Sequence, residues 1–213
     1  MKTIFVVAAH PDDEVLGCGG TLLKHAHDGD KVYILFISDG VSGRFKEKDS
    51  DKCLKEISNR EIMARKVSSL GKFKIVDFLN LKNLELSSYP HNYITNIIVK
   101  YFKKYKPDIV YTHNEHDLNI DHYQTFFSTF VASRPNNDFS IKKLLSFEIP
   151  SSTDWAIGSK SFVPNYFVDI EKYKIKKEKL LKFYKYEMRK PPHSRSIKNI
   201  NSLSIFRGGI VGL

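Results

Sequence analysis

The sequence predicts an α/β protein, a single Rossmann-like domain of three layers with a mostly parallel sheet. Segments rich in Val, Ile, Phe and Tyr alternate along the chain with segments of helical periodicity. This alternation is typical of βαβ units, whose parallel strands are covered by helices on both faces. The 213 residues contain no internal repeat and no low-complexity linker, so one domain over residues 1–213 is expected.

The individual elements follow from local patterns. The predicted strands are residues 3–9, 31–38, 74–79 and 108–113, and the predicted helices between them are residues 20–27, 53–70 and 92–105. The second helix stops at Gly71, a frequent helix terminator. Residues 42–51 are polar and are expected to form a mobile loop.

The C-terminal third predicts additional edge strands and one more helix. Residues 143–148 and 165–170 have strand character, with antiparallel pairing left open. Residues 172–188 have apolar side chains on one side at helical spacing, and Pro191-Pro192 must end that helix.

Composition excludes several classes of protein. With 41% hydrophobic residues the chain is not disordered, and no apolar stretch approaches the roughly 20 residues of a membrane helix. The apolar N-terminal run leads directly into His10-Pro11 without a small-residue cleavage site, so it predicts a first strand in a cytoplasmic protein. Cys18 and Cys53 are too few for a disulfide framework, in keeping with a reducing compartment.

The positive charge is concentrated in one segment. Residues 172–198 contain eleven Lys and Arg against two Glu, so they carry +9 of the chain's formal +10. Such a segment favours either a solvated helix face or a surface for a phosphorylated or otherwise anionic ligand. We expect neither nucleic acid nor stable membrane insertion, and homo-oligomer formation is left open.

The first chemically informative motif is His10-Pro11-Asp12-Asp13-Glu14, directly after the first strand. Ligands collect at the carboxyl ends of strands in doubly wound sheets. His10 and Asp13 are three residues apart and can face one point, where an imidazole and a carboxylate suit Zn²⁺. Asp12 lies between them and is free to accept a proton. The glycines from Gly17 to Gly20 suggest a close turn.

The second motif follows the fourth strand. Residues 113–122 contain three His and three acidic residues, the densest group of possible ligands in the chain. His122 can supply a third zinc ligand, and catalytic zinc usually has three protein ligands. Asp121 is placed to orient a ligand imidazole. For His113 and His116, packing or loop polarity is as good an interpretation as a function.

These two motifs together resemble the LmbE/PIG-L family of zinc-dependent N-acetyl deacetylases, over most of the chain from Ile4 to about Gly209. The resemblance implies one Zn²⁺ on His10, Asp13 and His122, with Asp12 as general base. It implies an amino-sugar substrate of the N-acetylglucosamine type, free or conjugated to a nucleotide, lipid or other group. It also implies that Arg60 contacts the substrate.

The chain departs from the usual family pattern at two places. Asn119-Ile120-Asp121-His122 resembles a branch with Asn-x-Asp-His, and Asn119 can donate a hydrogen bond to an oxyanion but cannot act as an acid. Leu81-Lys82-Asn83 stands where many members have an aspartate. The segment Pro192-His193-Ser194-Arg195-Ser196 resembles one near the C-terminus of the same branch. His193 and a recycled Asp12 are the candidates for the acid that protonates the leaving amine, with His193 preferred, and Arg195 is expected to contact the substrate.

The sequence therefore predicts metal-assisted hydrolysis of an N-acetyl group, with Asp12, Asn119, Asp121 and His193 as catalytic residues. One alternative is a zinc-binding protein without catalytic activity that holds an anionic partner through its basic helix. The presence of Asp12 disfavours it, because metal binding alone does not need this additional carboxylate. Another alternative is a hydrolase of a different acyl amide or ester at the same site.

Overall fold

A computed structural model describes residues 1–135, 138–155 and 161–213 and contains one parallel five-stranded sheet. The strands are β1 (Thr3–Ala8), β2 (Lys31–Ser38), β3 (Lys74–Leu81), β4 (Ile109–His113) and β5 (Lys143–Phe147). The α-helices are α1 (Asp13–His27), α2 (Asp51–Gly71), α3 (His91–Tyr105), α4 (Ile120–Ala132), α5 (Lys174–Phe183) and α6 (Ile197–Gly209). The predicted fold class, a Rossmann-like sheet between helices, is confirmed.

The strand order β3-β2-β1-β4-β5 determines where a ligand can bind. β1 lies in the middle and pairs in parallel with both β2 and β4, so that Val6 faces Ile34 on one side and Tyr111 on the other. From β1 the chain passes to β2 and then to β3 on one side of the sheet. From β4 it later passes to β5 on the other side. The connections that leave β1 and β4 therefore separate and open a crevice at the carboxyl edge of the sheet.

Two hydrophobic cores hold the layers together. Helices α1, α2 and α5 cover one face of the sheet, where Leu22, Val67 and Tyr184 are fully buried. Helices α3 and α4 cover the other face, where Ile98 and Phe102 pack against β1. β1 is apolar and buried from Ile4 to Ala8 because both of its faces are covered, as expected for a central parallel strand.

The predicted edge strands are only partly correct. β5 is present, but it pairs with β4 in parallel. Residues 165–170 form no strand, and their apolar character has another cause. Ile170 packs so closely over α1 that a methyl group on Gly20 would lie 2.6 Å from its side chain.

Three further boundaries differ from the sequence prediction. Helix α1 begins at Asp13, seven residues early, because Asp13 and Glu14 favour the first turn of a helix and the following glycines lie inside it. Helix α5 ends at Phe183, since the chain turns at Tyr184. The segment expected to be a mobile loop begins with a short 3-10 turn, Ser42–Arg44, in which Ser42 is fully buried.

In the part of the chain that the structure describes, no helix has the length and apolarity needed to cross a membrane. The longest helix, α2, carries exposed charged side chains along its length, among them Lys55, Glu56 and Lys66.

Gly17→Ala should lower the stability of the fold. A methyl group at this position would lie 2.7 Å from Cγ of Phe147, so the ring of Phe147 must move. Such overpacking typically costs about 1–3 kcal/mol. Thermal unfolding should show a reduced melting temperature, whereas Gly209→Ala, with no atom within 4 Å, should leave it unchanged. Equal melting temperatures for both variants would contradict the packing role of Gly17.

Candidate metal centre and active site

Four elements meet at the carboxyl edge of the sheet. His10 and Asp12 follow β1, Asp13 opens α1, and His122 lies in the first turn of α4, after β4. Because β1 and β4 are neighbours, these segments arrive at the same point. Asp12 has φ of +147°, a conformation that side-chain-bearing residues rarely adopt, and such strain is concentrated at functional sites.

The three predicted metal ligands converge on one point. Nδ1 of His10 lies 3.3 Å from Oδ2 of Asp13 and 3.2 Å from Nε2 of His122, and the last two atoms are 3.4 Å apart. A tetrahedral zinc site with bonds of about 2.0–2.1 Å separates its ligand atoms by roughly 3.3 Å. The triangle therefore has the size that such an ion requires.

The chemistry of the donor set also fits a divalent cation. All three residues are buried, and Oδ1 of Asp13 is a buried oxygen without a hydrogen-bond partner among the described residues. Buried polar atoms normally have partners, so the unpaired Oδ1, on the same carboxylate whose Oδ2 lies beside two imidazole nitrogens, favours an additional positive group. The three residues can hold a metal ion.

Each ligand histidine is oriented by its own carboxylate. Nε2 of His10, on the far side of its ring, lies 3.1 Å from Oδ2 of Asp121. In the same way, Nδ1 of His122 lies 3.0 Å from Oδ1 of Asp117. This arrangement fixes the ring orientation and leaves the other nitrogen for a metal. Asp121 was expected to orient a ligand imidazole, whereas the partnership of Asp117 with His122 was not predicted.

The surroundings of the histidines carry a strongly negative potential. Burial opposes protonation of His10, but Asp121 and Asp13 outweigh it and raise its pKa to about 10. Burial likewise opposes protonation of His122, but Asp13 and Asp117 raise its pKa to about 8. Three carboxylates around two imidazoles thus produce a centre suited to a cation.

His113 also belongs to this centre. Its ring is fully buried and stacks on His122 with centroids 4.1 Å apart, and its Nε2 accepts the N–H of Ala9 at 2.8 Å. Burial and the neighbouring His122 hold its pKa well below the usual range, so the ring is neutral. His113 therefore packs against the predicted ligand His122, and its Nε2 lies 3.4 Å from Oδ2 of Asp13. His116 instead lies on the loop, partly exposed beside Glu115.

Asp12 is buried beside two arginines. Its Oδ2 lies 3.3 Å from Nη1 of Arg195 and 3.5 Å from Nη1 of Arg60. Burial and the adjacent Asp13 charge raise the pKa of Asp12 to about 6, although both arginines act against this increase. Among the described contacts Asp12 pairs with arginines rather than with the ligand histidines, and a pKa near 6 suits a group that accepts a proton near neutral pH.

Arg60 and Arg195 reach Asp12 in different ways. Arg60 is buried, and its guanidinium donates to the carbonyl oxygen of Pro11 at 2.8 Å and to Glu187. Arg195 is closer to solvent and donates through Nε to Oγ of Ser151 at 2.6 Å. Both therefore position Asp12, and a direct substrate contact of either residue stays a prediction.

Glu187 is a residue of the site that the sequence analysis missed. Its buried carboxylate accepts from Arg60 and from Nη2 of Arg44 at 2.9 Å, and Nη1 of Arg195 is 3.6 Å away. These charges lower its pKa although burial opposes the change. One signal was available, because Glu187 is one of only two acidic residues in the basic segment 172–198.

The structure places Asn119 and His193 at the margin of the site. Asn119 is the N-cap of α4, and its side-chain oxygen accepts the N–H of Asp121 at 2.9 Å. His193 is exposed in the turn after the cis Pro191-Pro192 bond, and its Nδ1 accepts the N–H of Arg195 at 3.0 Å. Among the described contacts none joins the ring of His193 to Asp12 or to the ligands.

Comparison with known proteins agrees with this geometry. The profile of the PIG-L family, described as GlcNAc-PI de-N-acetylase, matches residues 5–133, which include every predicted metal ligand. The chain belongs to the PIG-L family. This PIG-L protein is therefore an enzyme of the hydrolytic deacetylase type, as its motifs predicted.

Individual relatives extend the likeness beyond the matched region. The uncharacterized deacetylase YaiS of Escherichia coli is 26% identical over 176 residues, which cover 80% of this chain and 83% of YaiS. The N,N'-diacetylchitobiose deacetylase of Pyrococcus horikoshii superposes with a TM-score of 0.78 at 22% identity, covering 100% of this chain and 80% of that one.

The fold by itself does not determine the reaction. GalB of Pseudomonas putida, a 4-carboxy-2-hydroxymuconate hydratase, superposes with a TM-score of 0.77 at 18% identity, covering 98% of this chain and 86% of GalB. A hydratase and a deacetylase thus share the architecture of this PIG-L protein. Its own reaction must be argued from the side chains.

Asp117→Ala should weaken metal binding. The change removes the carboxylate that holds Nδ1 of His122, and loss of such a partner typically costs about 10–100-fold in metal affinity. Competition with a zinc chelator measures the effect directly. Asp154→Ala is the matched control, since Asp154 is exposed in the neighbouring 3-10 turn, and it should bind metal like the parent. Equal affinities of the two variants would exclude the role of Asp117.

Proposed function

We propose that the protein hydrolyses the N-acetyl group of an N-acetylglucosamine-type sugar, with one Zn²⁺ held by His10, Asp13 and His122. One observation carries this proposal. Three buried ligand atoms form a triangle with sides of 3.2–3.4 Å, and the carboxylate of Asp12 stands next to them in the chain without being one of them. A purely structural zinc site would normally have four protein ligands.

The metal would supply a Lewis acid for the acetyl carbonyl and lower the pKa of water to about 7. Asp12 accepts the proton of the attacking water as general base. Arg60 and Arg195 hold its carboxylate in place through the contacts described above. Asn119, at the start of α4, has an amide NH₂ group that the helix cap does not use, and this group donates to the developing oxyanion.

The leaving amine must receive a proton. Asp12 can return the proton that it accepted, since it lies at the centre of the site. His193 was the acid preferred from the sequence, and that assignment stays a prediction. Because His193 is exposed and its Nδ1 is occupied by the backbone of Arg195, the contacts favour Asp12.

The substrate proposal rests on relatives and on charge. The similar enzyme from Pyrococcus horikoshii is a diacetylchitobiose deacetylase, which supports an amino sugar. Three arginines, Arg44, Arg60 and Arg195, surround Asp12 and Glu187, so this group carries a net charge of +1. Arg44 is half exposed and can meet an anionic group, such as a diphosphate that carries the sugar. A cytoplasmic location stays a prediction.

Asp12→Asn should retain zinc but lose turnover by about 10²–10⁴-fold, the usual contribution of a positioned base. Zinc content is measured by atomic spectroscopy and acetate release by an enzymatic assay. The assay should include free, nucleotide-linked and lipid-linked N-acetyl sugars, with formyl amides and acetyl esters as competitors. His122→Ala is the matched variant that should lose zinc while remaining folded.

Each outcome separates the proposal from its alternatives. Zinc without acetate release from any of these sugars would support a binding protein, and preferential cleavage of the esters would support a different hydrolase. Full zinc retention by His122→Ala would exclude the ligand set. A preference for nucleotide-linked sugars that decreases as salt increases would support the anionic contact at Arg44.

His193→Gln should leave turnover within a few-fold of the parent if Asp12 returns the proton. The substitution removes an imidazole from an exposed turn, while glutamine can still accept a hydrogen bond there. Single-turnover acetate release with saturating sugar is the measurement. A loss of about 10²-fold or more, with unchanged zinc content, would instead assign the acid to His193.

A further inference from the structure

Helix α4 buries a polar face and exposes an apolar one, which is the reverse of an ordinary surface helix. Its buried residues are all polar or small: Asp121, His122, Thr125, Ser128, Thr129 and Ala132. Its exposed apolar residues are Ile120, Tyr123, Phe127 and Phe130, with exposed fractions between 39% and 54%. A helix of a monomeric protein normally buries the apolar face and exposes the polar one.

The catalytic site explains why the buried face is polar, but it does not explain why the exposed face is apolar. Asp121 and His122 must be polar because they belong to the metal centre, and the hydroxyl group of Thr129 donates to the carbonyl oxygen of Thr125 at 2.6 Å. No contact with the metal centre accounts for the apolar side chains on the outward face. Tyr123 stacks on Phe127, and Phe126 on Phe130, so these rings form two stacked pairs that together make an aromatic row along the helix.

Helix α4 itself contributes no charge to this face. Within α4 the only Asp, Glu, Lys or Arg is Asp121, which is fully buried, although 27% of the whole chain is charged. Two copies of a chain with a net charge of +10 repel each other, and the repulsion is weakest where an uncharged surface faces its own copy. An anionic partner would instead bind the basic segment 172–198.

The area is sufficient for a stable pair. An aromatic side chain offers about 150–250 Å², so the exposed parts of Tyr123, Phe127 and Phe130 amount to roughly 260 Å². Ile120 and Leu118, which is 64% exposed in the preceding loop, raise this to roughly 400 Å² per copy. Two copies would bury roughly 800 Å² of apolar surface, and at an apolar share of about 60% the total is near 1,300 Å².

We propose that the outward face of α4, formed by Leu118, Ile120, Tyr123, Phe127 and Phe130, binds a second copy of this chain. The contact is isologous, because one self-complementary row can meet itself across a two-fold axis. It is independent of the proposed substrate and reaction, since none of these five side chains is a predicted metal ligand or catalytic residue.

The double variant Phe127→Lys/Phe130→Lys tests the interface. Sedimentation equilibrium and light scattering should show a dimer for the parent and a monomer for this variant. The matched control is Leu54→Lys/Ile62→Lys on α2, where the two side chains are 49% and 47% exposed on the opposite layer, and it should retain the parent mass. Thermal unfolding checks that both variants are folded, and the milder Tyr123→Lys should weaken association if the double variant is unfolded.

The dependence of this association on salt concentration is a second measurement. Raising the salt concentration screens the repulsion between two positive chains but leaves an apolar contact intact, so the parent dimer should become tighter. A parent chain that is monomeric at micromolar concentration and high salt would overturn the proposal. So would an unchanged mass for a folded Phe127→Lys/Phe130→Lys variant, or a monomeric α2 control.

Discussion

Oδ2 of Asp13 is the atom around which the active site is organised. It accepts the N–H of His10 at 2.8 Å and lies 3.3–3.4 Å from imidazole nitrogens of His10, His113 and His122. The carboxylate is fully buried, and an isolated buried charge would cost several kcal/mol. His122 and His10 hold the pKa of Asp13 well below its usual range although burial acts in the opposite direction. The ends of β1 and β4 must therefore stay together, and their parallel pairing keeps them so.

Three other carboxylates attach the surrounding loops to this centre. Oδ2 of Asp121 accepts the N–H of Leu84 at 2.7 Å and so fixes the loop after β3. Asp117 accepts from the hydroxyl groups of Ser152 and Thr153, after β5. Glu187 joins arginines from three segments. Because each loop is held by a buried charge-assisted contact, the site is formed before substrate arrives.

Helix α4 illustrates how one element serves two purposes. Its first turn supplies Asp121 and His122 to the metal centre, which requires a polar inner face. Stability of the helix must then come from elsewhere, since packing of an apolar face normally supplies most of it. A second copy on the aromatic row would provide the missing apolar contact. The shared architecture with a hydratase shows that such side-chain choices, and not the fold, distinguish the proteins built on it.

The sequence by itself determined the layered parallel fold, because strand alternation is a local pattern, and its short motifs named His10, Asp13 and His122 as candidate metal ligands, which the structure brings together. It also located Asp12 and the orienting role of Asp121. Only the tertiary structure decided that β5 is parallel, that residues 165–170 are not a strand, and that Asp117 and Glu187 belong to the site. These outcomes depend on contacts between distant segments, such as the 127 residues that separate Arg60 from Glu187. Helix α4 was not among the helices predicted from the sequence, and the exposure of its aromatic row was undecided too, since apolar periodicity shows that a helix has an apolar face but not which face the sheet will cover.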